Sequence, residues 1–252
     1  MRVVITGAAG AIGKQLVDEL SGSHNICQID RCHINGRECL IGDLSEAQPS
    51  AGWRSWLKLK PEHWSNAFKG AQVVIHLAAN IDPLAPWESV LPNNIQATWN
   101  VIHAAAAQGV PRVLFASSNW AVKALEQKLA PDCYQPEGPK IDSDTPPSPL
   151  TAYGLSKSFG ELAGRMFVEE GKLKSFVAVR IGHYAPIPSP DEIVRTRWIG
   201  ADDIRSLFRR CVEADLEGFH VVYGVSAQTT APYDLSQTCK LLSWSPAQVL
   251  PT

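Results

Sequence analysis

The chain has 252 residues, 45% hydrophobic and 19% charged, and its 23 basic and 25 acidic side chains leave a formal charge of −2. That length supports one or two domains with a full core, and the composition excludes an intrinsically disordered chain. Like charges are not clustered, no apolar run approaches the ~20 residues of a membrane helix, and the chain opens directly on Arg2-Val3-Val4-Ile5-Thr6 without a leader-like stretch, so a soluble, cytoplasmic protein is expected, with no nucleic acid or membrane as partner.

In chain order, Val3 to Thr6 is an apolar, β-branched run suited to a strand buried on both faces. A glycine-rich turn follows, then a helix over Ala11 to Leu20 with Leu16, Val17 and Leu20 on one side. A second strand covers Asn25 to Ile29 and ends at Asp30, and Cys39-Leu40-Ile41 suits a short third. Trp53, Trp56 and Trp64 fall in the stretch from Leu44 to Lys69, where a spacing of three fits one packed helical face. Val73 to Leu77 is the next strand, Asn94 to Gln108 a long helix closed by Gly109 and Pro111, and Val113 to Ala116 another strand. Six prolines between Pro131 and Pro149 exclude regular helix there, and a loop that long in a compact domain is usually functional. A helix from Thr151 to Glu170, a strand from Phe176 to Ile181, a helix from Asp202 to Ala214 and a strand from Phe219 to Tyr223 complete the pattern.

Strand, helix, strand in alternation implies parallel pairing, hence a Rossmann α/β fold: a doubly wound parallel sheet with helices on both faces. Residues 1–252 are read as a single domain, with a dinucleotide-binding core over 1–181 and a small substrate cap over 182–252. The cysteines, Cys27, Cys32, Cys39, Cys133, Cys211 and Cys239, contain no Cys-x-x-Cys pair. They read as free thiols, and no metal site is assigned.

Gly7-Ala8-Ala9-Gly10-Ala11-Ile12-Gly13 lies between a strand and a helix, the context that gives a glycine motif meaning. Gly7 permits the tight turn, Gly10 lets the backbone approach a pyrophosphate, and Gly13 lets the helix pack close to the sheet. Free amides at the helix start, at Ala11 and Ile12, attract the phosphate charge. Asp30, at the end of the second strand, suits the two hydroxyls of an adenosine ribose and repels a 2′-phosphate, which favours NAD over NADP. Arg31 beside it is a group able to receive such a phosphate.

Tyr153 and Lys157 are four apart at the start of a predicted helix and share its face. A phenol is a weak base at neutral pH, and an ammonium beside it favours the phenolate. Such a pair takes a proton from an alcohol while a hydride leaves the same carbon. Ser117 and Ser118 stand at the carboxyl end of a strand, the edge where open α/β sheets bind ligands, and a serine there can hold the reacting oxygen.

Together with Gly42-Asp43-Leu44, His76-Leu77-Ala78-Ala79, Asn94, Thr98 to Val101 and Arg180-Ile181-Gly182, these motifs resemble the extended short-chain dehydrogenase/reductase family, the NAD-dependent epimerase/dehydratase group. The resemblance runs over residues 1–185. Within the group, Phe115 to Asn119, Arg180 to Gly182, Trp198 to Asp203 and the short length are similar to uronate dehydrogenases, which oxidise hexuronic acids at C1 with NAD. The resemblance implies a catalytic triad of Ser118, Tyr153 and Lys157, with Tyr153 as general base and Lys157 also holding the nicotinamide ribose. It implies adenine contacts at Asp43 and Leu44, and a cofactor lining of Leu77, Ala78, Ala79 and Ile181. It also implies Asn94 near the nicotinamide or in a structural role, Asn119 on the substrate, and a homodimer formed through the two long helices.

The chain departs from uronate dehydrogenases at the substrate end, carrying Ile81 and His183 where they carry serines. His183, placed after the Arg180 strand near the expected nicotinamide, is a candidate substrate contact. Arg195 and Arg197 are candidates for a carboxylate fork, or are surface charges. The function expected is NAD-dependent oxidation of a hydroxyl on a sugar or sugar acid. The alternatives are a nucleotide-sugar epimerase or dehydratase, and a non-catalytic dinucleotide sensor.

Overall fold

The structure, a computed structural model, describes residues 1–34, 36–46 and 63–250. Trp53 and Trp56 lie outside the described residues. Strand β1 (Arg2–Thr6) is buried from Val3 onward. Val3 and Ile5 enter one core cluster with Leu16, Val17 and Leu20 of α1 (Ala11–Leu20), while Val4 enters another on the opposite face. A strand covered on both faces has no solvent side to spare for polar residues, which is why its sequence is an unbroken apolar run.

Strands β2 (Asn25–Asp30) and β3 (Leu40–Ile41) extend the sheet on one side of β1, and β4 (Val73–His76) on the other. Helix α2 (Trp87–Val90) then runs through a π-helical stretch, Leu91–Gln96, into α3 (Ala97–Ala107). The helical run therefore begins at Trp87, ahead of the expected Asn94. Pro92 accounts for the difference: its ring removes an N–H and collides with the carbonyl four residues back, and the backbone accommodates it by widening instead of stopping.

Strand β5 (Arg112–Ser118) leads through a short 3-10 turn into α4 (Lys123–Leu129), which ends just before the proline-rich segment. Helix α5 (Ala152–Glu169) and β6 (Ser175–Ile181) follow. The remaining chain forms β7 (His183–Tyr184), α6 (Glu192–Arg195), β8 (Trp198–Ile199), α7 (Ala201–Glu213), β9 (Gly218–Gly224) and α8 (Ser236–Leu242).

Among the described residues the main sheet has the order β3-β2-β1-β4-β5-β6-β9, and every neighbouring pair is parallel. Helices α1 and α7 cover one face and α3 and α5 the other, giving the expected doubly wound α/β architecture. The boundary expected after Ile181 needs correction. Strand β9 pairs with β6 from Ser175↔Gly218 to Ile181↔Gly224, and Ile204, Leu207, Phe208 and Cys211 of α7 join the core of α1. These apolar faces belong to the sheet, so residues 201–224 complete the Rossmann layers. Residues 183–199 and 225–250 lie outside these layers. No helix among the described residues is long and apolar enough to cross a membrane.

Candidate active site

The turn between β1 and α1 is shaped by close approach. Gly7 has φ +75°, and a Cβ there would press on the Ala78 amide nitrogen. A Cβ on Gly13 would overlap the Gly7 carbonyl. Gly10 caps α1 without a side-chain hydrogen bond, so the amides of the first turn, at Ala11 and Ile12, have no side-chain acceptor. Asp30, at the end of β2, accepts from the Ala9 amide at 2.9 Å through Oδ2 and from the Arg31 amide at 2.7 Å through Oδ1. The Arg31 guanidinium is turned to Asn93 Oδ1, 2.7 Å away.

Beside these residues lies a cavity of about 380 Å³, lined by Arg31, Gly42, Asp43 and Trp64 among others. Asp43 Oδ1 accepts from the Ser45 hydroxyl and amide, which hold its carboxyl below the ordinary range. Leu44 is buried, and Asn100 of α3 fixes this segment by donating to the Leu44 carbonyl at 2.9 Å. Leu77 and Ala79 are half-buried where β4 leaves the sheet, with Ala78 against the glycine turn. A glycine turn open to a pyrophosphate, a carboxylate at the second strand end and a cavity beyond it fit a dinucleotide.

The reactive side chains meet at the carboxyl edge of β5. Ser118 ends that strand and pairs in register with Ile181 of β6. Its hydroxyl donates to Asn119 Oδ1 at 3.1 Å and accepts from the Trp120 amide at 3.2 Å. Thr151 caps α5 by accepting from the Gly154 amide at 3.1 Å, which fixes where the helix starts and sets Tyr153 and Lys157 in its first turns. Two glycines further along bring this helix down onto the sheet. A Cβ on Gly160 would overlap the Phe115 ring, and one on Gly164 the Phe176 ring. The approach lets the Lys157 ammonium donate to the Ala116 carbonyl at 2.8 Å while lying 5.5 Å from the Tyr153 ring centre.

Burial sets the titration of this pair. It depresses Lys157 to about 8, because a charged ammonium loses hydration there. It raises the Tyr153 phenol, and a hydrogen bond with Ser118 opposes the rise. Asn94, in the π-helical stretch, binds the Asn80 amide and carbonyl at 2.8 and 2.9 Å and donates to Ser156 Oγ, which donates to the Tyr153 carbonyl. Asn94 thus ties the loop after β4 to α5.

The candidate substrate residues separate. Asn119 is buried next to Ser118. His183 is exposed in β7, its amide donating to the Arg197 carbonyl at 2.6 Å, and its pKa is lowered by partial burial and by the Arg197 charge. Arg195 is half-buried at the end of α6. Arg197 is turned inward, with Nε 3.0 Å from Glu126 Oε1 and its guanidinium 3.3 Å from the Tyr134 hydroxyl. The sequence reading overlooked Glu126 and its partners, and nothing local marks them, because Tyr233 reaches it from 107 residues away. It also passed over Gly160 and Gly164, which had a signal: they continue the Tyr153 and Lys157 face at helical spacing. A buried ion pair supports the strand ends as well. Arg180 of β6 meets Glu161 of α5 at 2.8 and 2.9 Å, and Ser117 donates to the same carboxylate at 2.6 Å.

A parallel Rossmann sheet with its glycine turn beside a serine, a tyrosine and a lysine at one strand edge is the framework of a dinucleotide-dependent oxidoreductase. The chain belongs to the NAD-dependent epimerase/dehydratase family, whose model matches residues 3–201. It is 32% identical to an NAD-dependent glucose-6-phosphate dehydrogenase of Haloferax volcanii, over 97% of this chain and 92% of that protein. It is 30% identical to a uronate dehydrogenase of Agrobacterium fabrum, over 97% of this chain and 84% of that one. Among solved structures, uronate dehydrogenase from Agrobacterium tumefaciens superposes with a TM-score of 0.77 at 28% identity, covering 98% of this chain and 84% of that one. The family's similar members are thus NAD-dependent dehydrogenases of sugars and sugar acids.

Proposed function

We propose that the protein oxidises the C1 hydroxyl of a sugar or sugar acid with NAD. The observation that carries this reading is the convergence of Ser118, Tyr153 and Lys157 at the carboxyl edge of β5, the same edge of the sheet on which the glycine turn follows β1. NAD, when bound, supplies the hydride acceptor. Gly7, Gly10, Gly13 and the α1 amides would hold its pyrophosphate, Asp30 its adenosine ribose, and the cavity beside Asp43 and Leu44 its adenine.

In this reading Ser118 holds the reacting oxygen and Tyr153 takes the hydroxyl proton onto its phenolate oxygen. Lys157, in its ammonium form, favours that phenolate and holds the nicotinamide ribose. The proton ends on Tyr153 and the carbon is left as a carbonyl. Similarity to glucose-6-phosphate and uronate dehydrogenases supports a sugar ring as substrate. The test is a panel of C1-deuterated aldoses, uronic acids and sugar phosphates. Deuterium is expected in the reduced cofactor, with a slowed rate. Retention of deuterium in the product, or no turnover across the panel, would contradict the proposal.

The active form is proposed to be a homodimer. Helix α5 exposes Leu155, Leu162 and Met166 along one stripe and α3 exposes Trp99, an apolar face that a second copy would cover. A solution mass of one chain at micromolar concentration would overturn this.

A further inference from the structure

Glu126 of α4 has no exposed surface, and four side chains from three separate segments converge on it. Its Oε1 accepts from the Lys123 ammonium at 2.8 Å and the Tyr134 hydroxyl at 2.9 Å and lies 3.0 Å from Arg197 Nε; its Oε2 accepts from the Tyr233 hydroxyl at 2.6 Å. Burial alone would push this carboxyl up, but Arg197, Lys123 and the Tyr233 hydrogen bond hold it below the ordinary range, so it is ionised. Among the described residues, both cations find the same carboxylate. Two positive charges therefore share one negative charge, in a setting where little water screens the remainder.

The surplus lies next to the reacting centre. Asn119, the residue after Ser118, opens the 3-10 turn Asn119–Val122 that runs directly into Lys123 of α4. The Lys123 ammonium lies 5.4 Å from the Trp120 ring centre. Arg197 directly precedes β8, whose Trp198 pairs with His183 of β7, and its charge helps hold the His183 ring below the ordinary range.

We infer that Lys123, Glu126 and Arg197 form a charge selector beside Asn119 that gives the site its preference for a substrate bearing an anionic group, a carboxylate or a phosphate, over a neutral sugar. Arg197 then acts as a member of a shared-charge cluster, not as a free fork. The inference rests on the substrate end being where the proposed function puts it.

The experiment is calorimetric binding of glucuronate, glucose 6-phosphate and glucose to the NADH-loaded protein, so that its outcome does not depend on turnover. Wild type, Lys123→Met and Glu126→Gln form a series of falling and rising positive charge. The affinity ratio of the anionic sugars to glucose is expected to fall about tenfold in Lys123→Met and to rise about tenfold in Glu126→Gln, changes that ~1.4 kcal/mol produces. The response of glucuronate against glucose 6-phosphate shows which anion the selector takes. Should Glu126→Gln fail to fold, Lys123→Met alone carries the test. A ratio that stays flat, or an equal loss for charged and neutral ligands, overturns the inference and assigns the cluster to structure alone. Turnover of the same variants, assayed separately with oxidised NAD, separates the two readings: binding that follows charge without oxidation would count against the proposed reaction and leave the selector standing.

Discussion

The cofactor end and the substrate end of this molecule are built by different means. At the cofactor end, function is carried by the backbone: Gly7 and Gly13 admit a tight approach, the α1 amides face outward, and Asp30 closes the turn at the tip of its strand. At the proposed substrate end, side chains are gathered from afar, with Glu126, Tyr134, Arg197 and Tyr233 meeting across as many as 107 residues. Tyr153 and Lys157, the proposed catalytic pair, lie between the two, on a helix whose start is set locally by Thr151 and whose depth is set by Gly160 and Gly164. Backbone-built sites are robust to changes in neighbouring side chains, whereas side-chain networks can be retuned by single substitutions. One framework can therefore keep its redox chemistry while its substrate changes.

That contrast can be broken most forcefully at the buried pair beneath the strand ends. Arg180→Met would leave Glu161 charged and buried without its partner, at a cost of about 3–5 kcal/mol in unfolding free energy. Denaturant unfolding should show the loss, and a change under about 1 kcal/mol would mean the pair is no keystone. The chemistry between the two ends should be pH-dependent with a definite sign. The active pair is a phenolate with an ammonium. Below about 8 both Tyr153 and Lys157 keep their protons, so the oxidation rate should rise with pH, and it should level near 8, where Lys157 gives up its charge. A rate that is flat from neutral pH upward would sever the link to this pair. The smallest effect is expected at the cofactor end. Asp30→Ala removes the carboxylate but leaves the glycine turn, so NAD affinity should weaken by about tenfold, within the range of a charged hydrogen bond, while NADP loses less. Equal losses for both cofactors would indicate that Asp30 serves the turn only.

The same contrast explains what was legible in the sequence. Strands buried on both faces announce themselves as unbroken apolar runs, so β1, β4, β5 and β6 were readable from composition alone. The glycine turn, Asp30, and the Tyr153 and Lys157 spacing are short-range patterns, and the structure brings them to one edge of the sheet. Strand β9 was readable as a strand but not as part of the main sheet, because pairing partners are fixed by tertiary packing that local pattern does not contain. The early helix start at Trp87 was hidden by Pro92, which usually marks an end and here marks a widened turn. The Glu126 cluster left no mark in the sequence for a simpler reason: only folding brings Arg197 and Tyr233 to Lys123 and Glu126.

The central claim, that Tyr153 acts as the base in an NAD-dependent oxidation of a sugar hydroxyl, is tested most directly by comparing wild type with Tyr153→Phe. Both proteins would be titrated with NAD and then assayed for reduced nicotinamide with aldoses, uronic acids and sugar phosphates. Removal of the base should lower kcat by about 10²–10⁴-fold, while NAD affinity and thermal stability stay near the wild-type values. Turnover by Tyr153→Phe equal to that of the wild type would contradict the account.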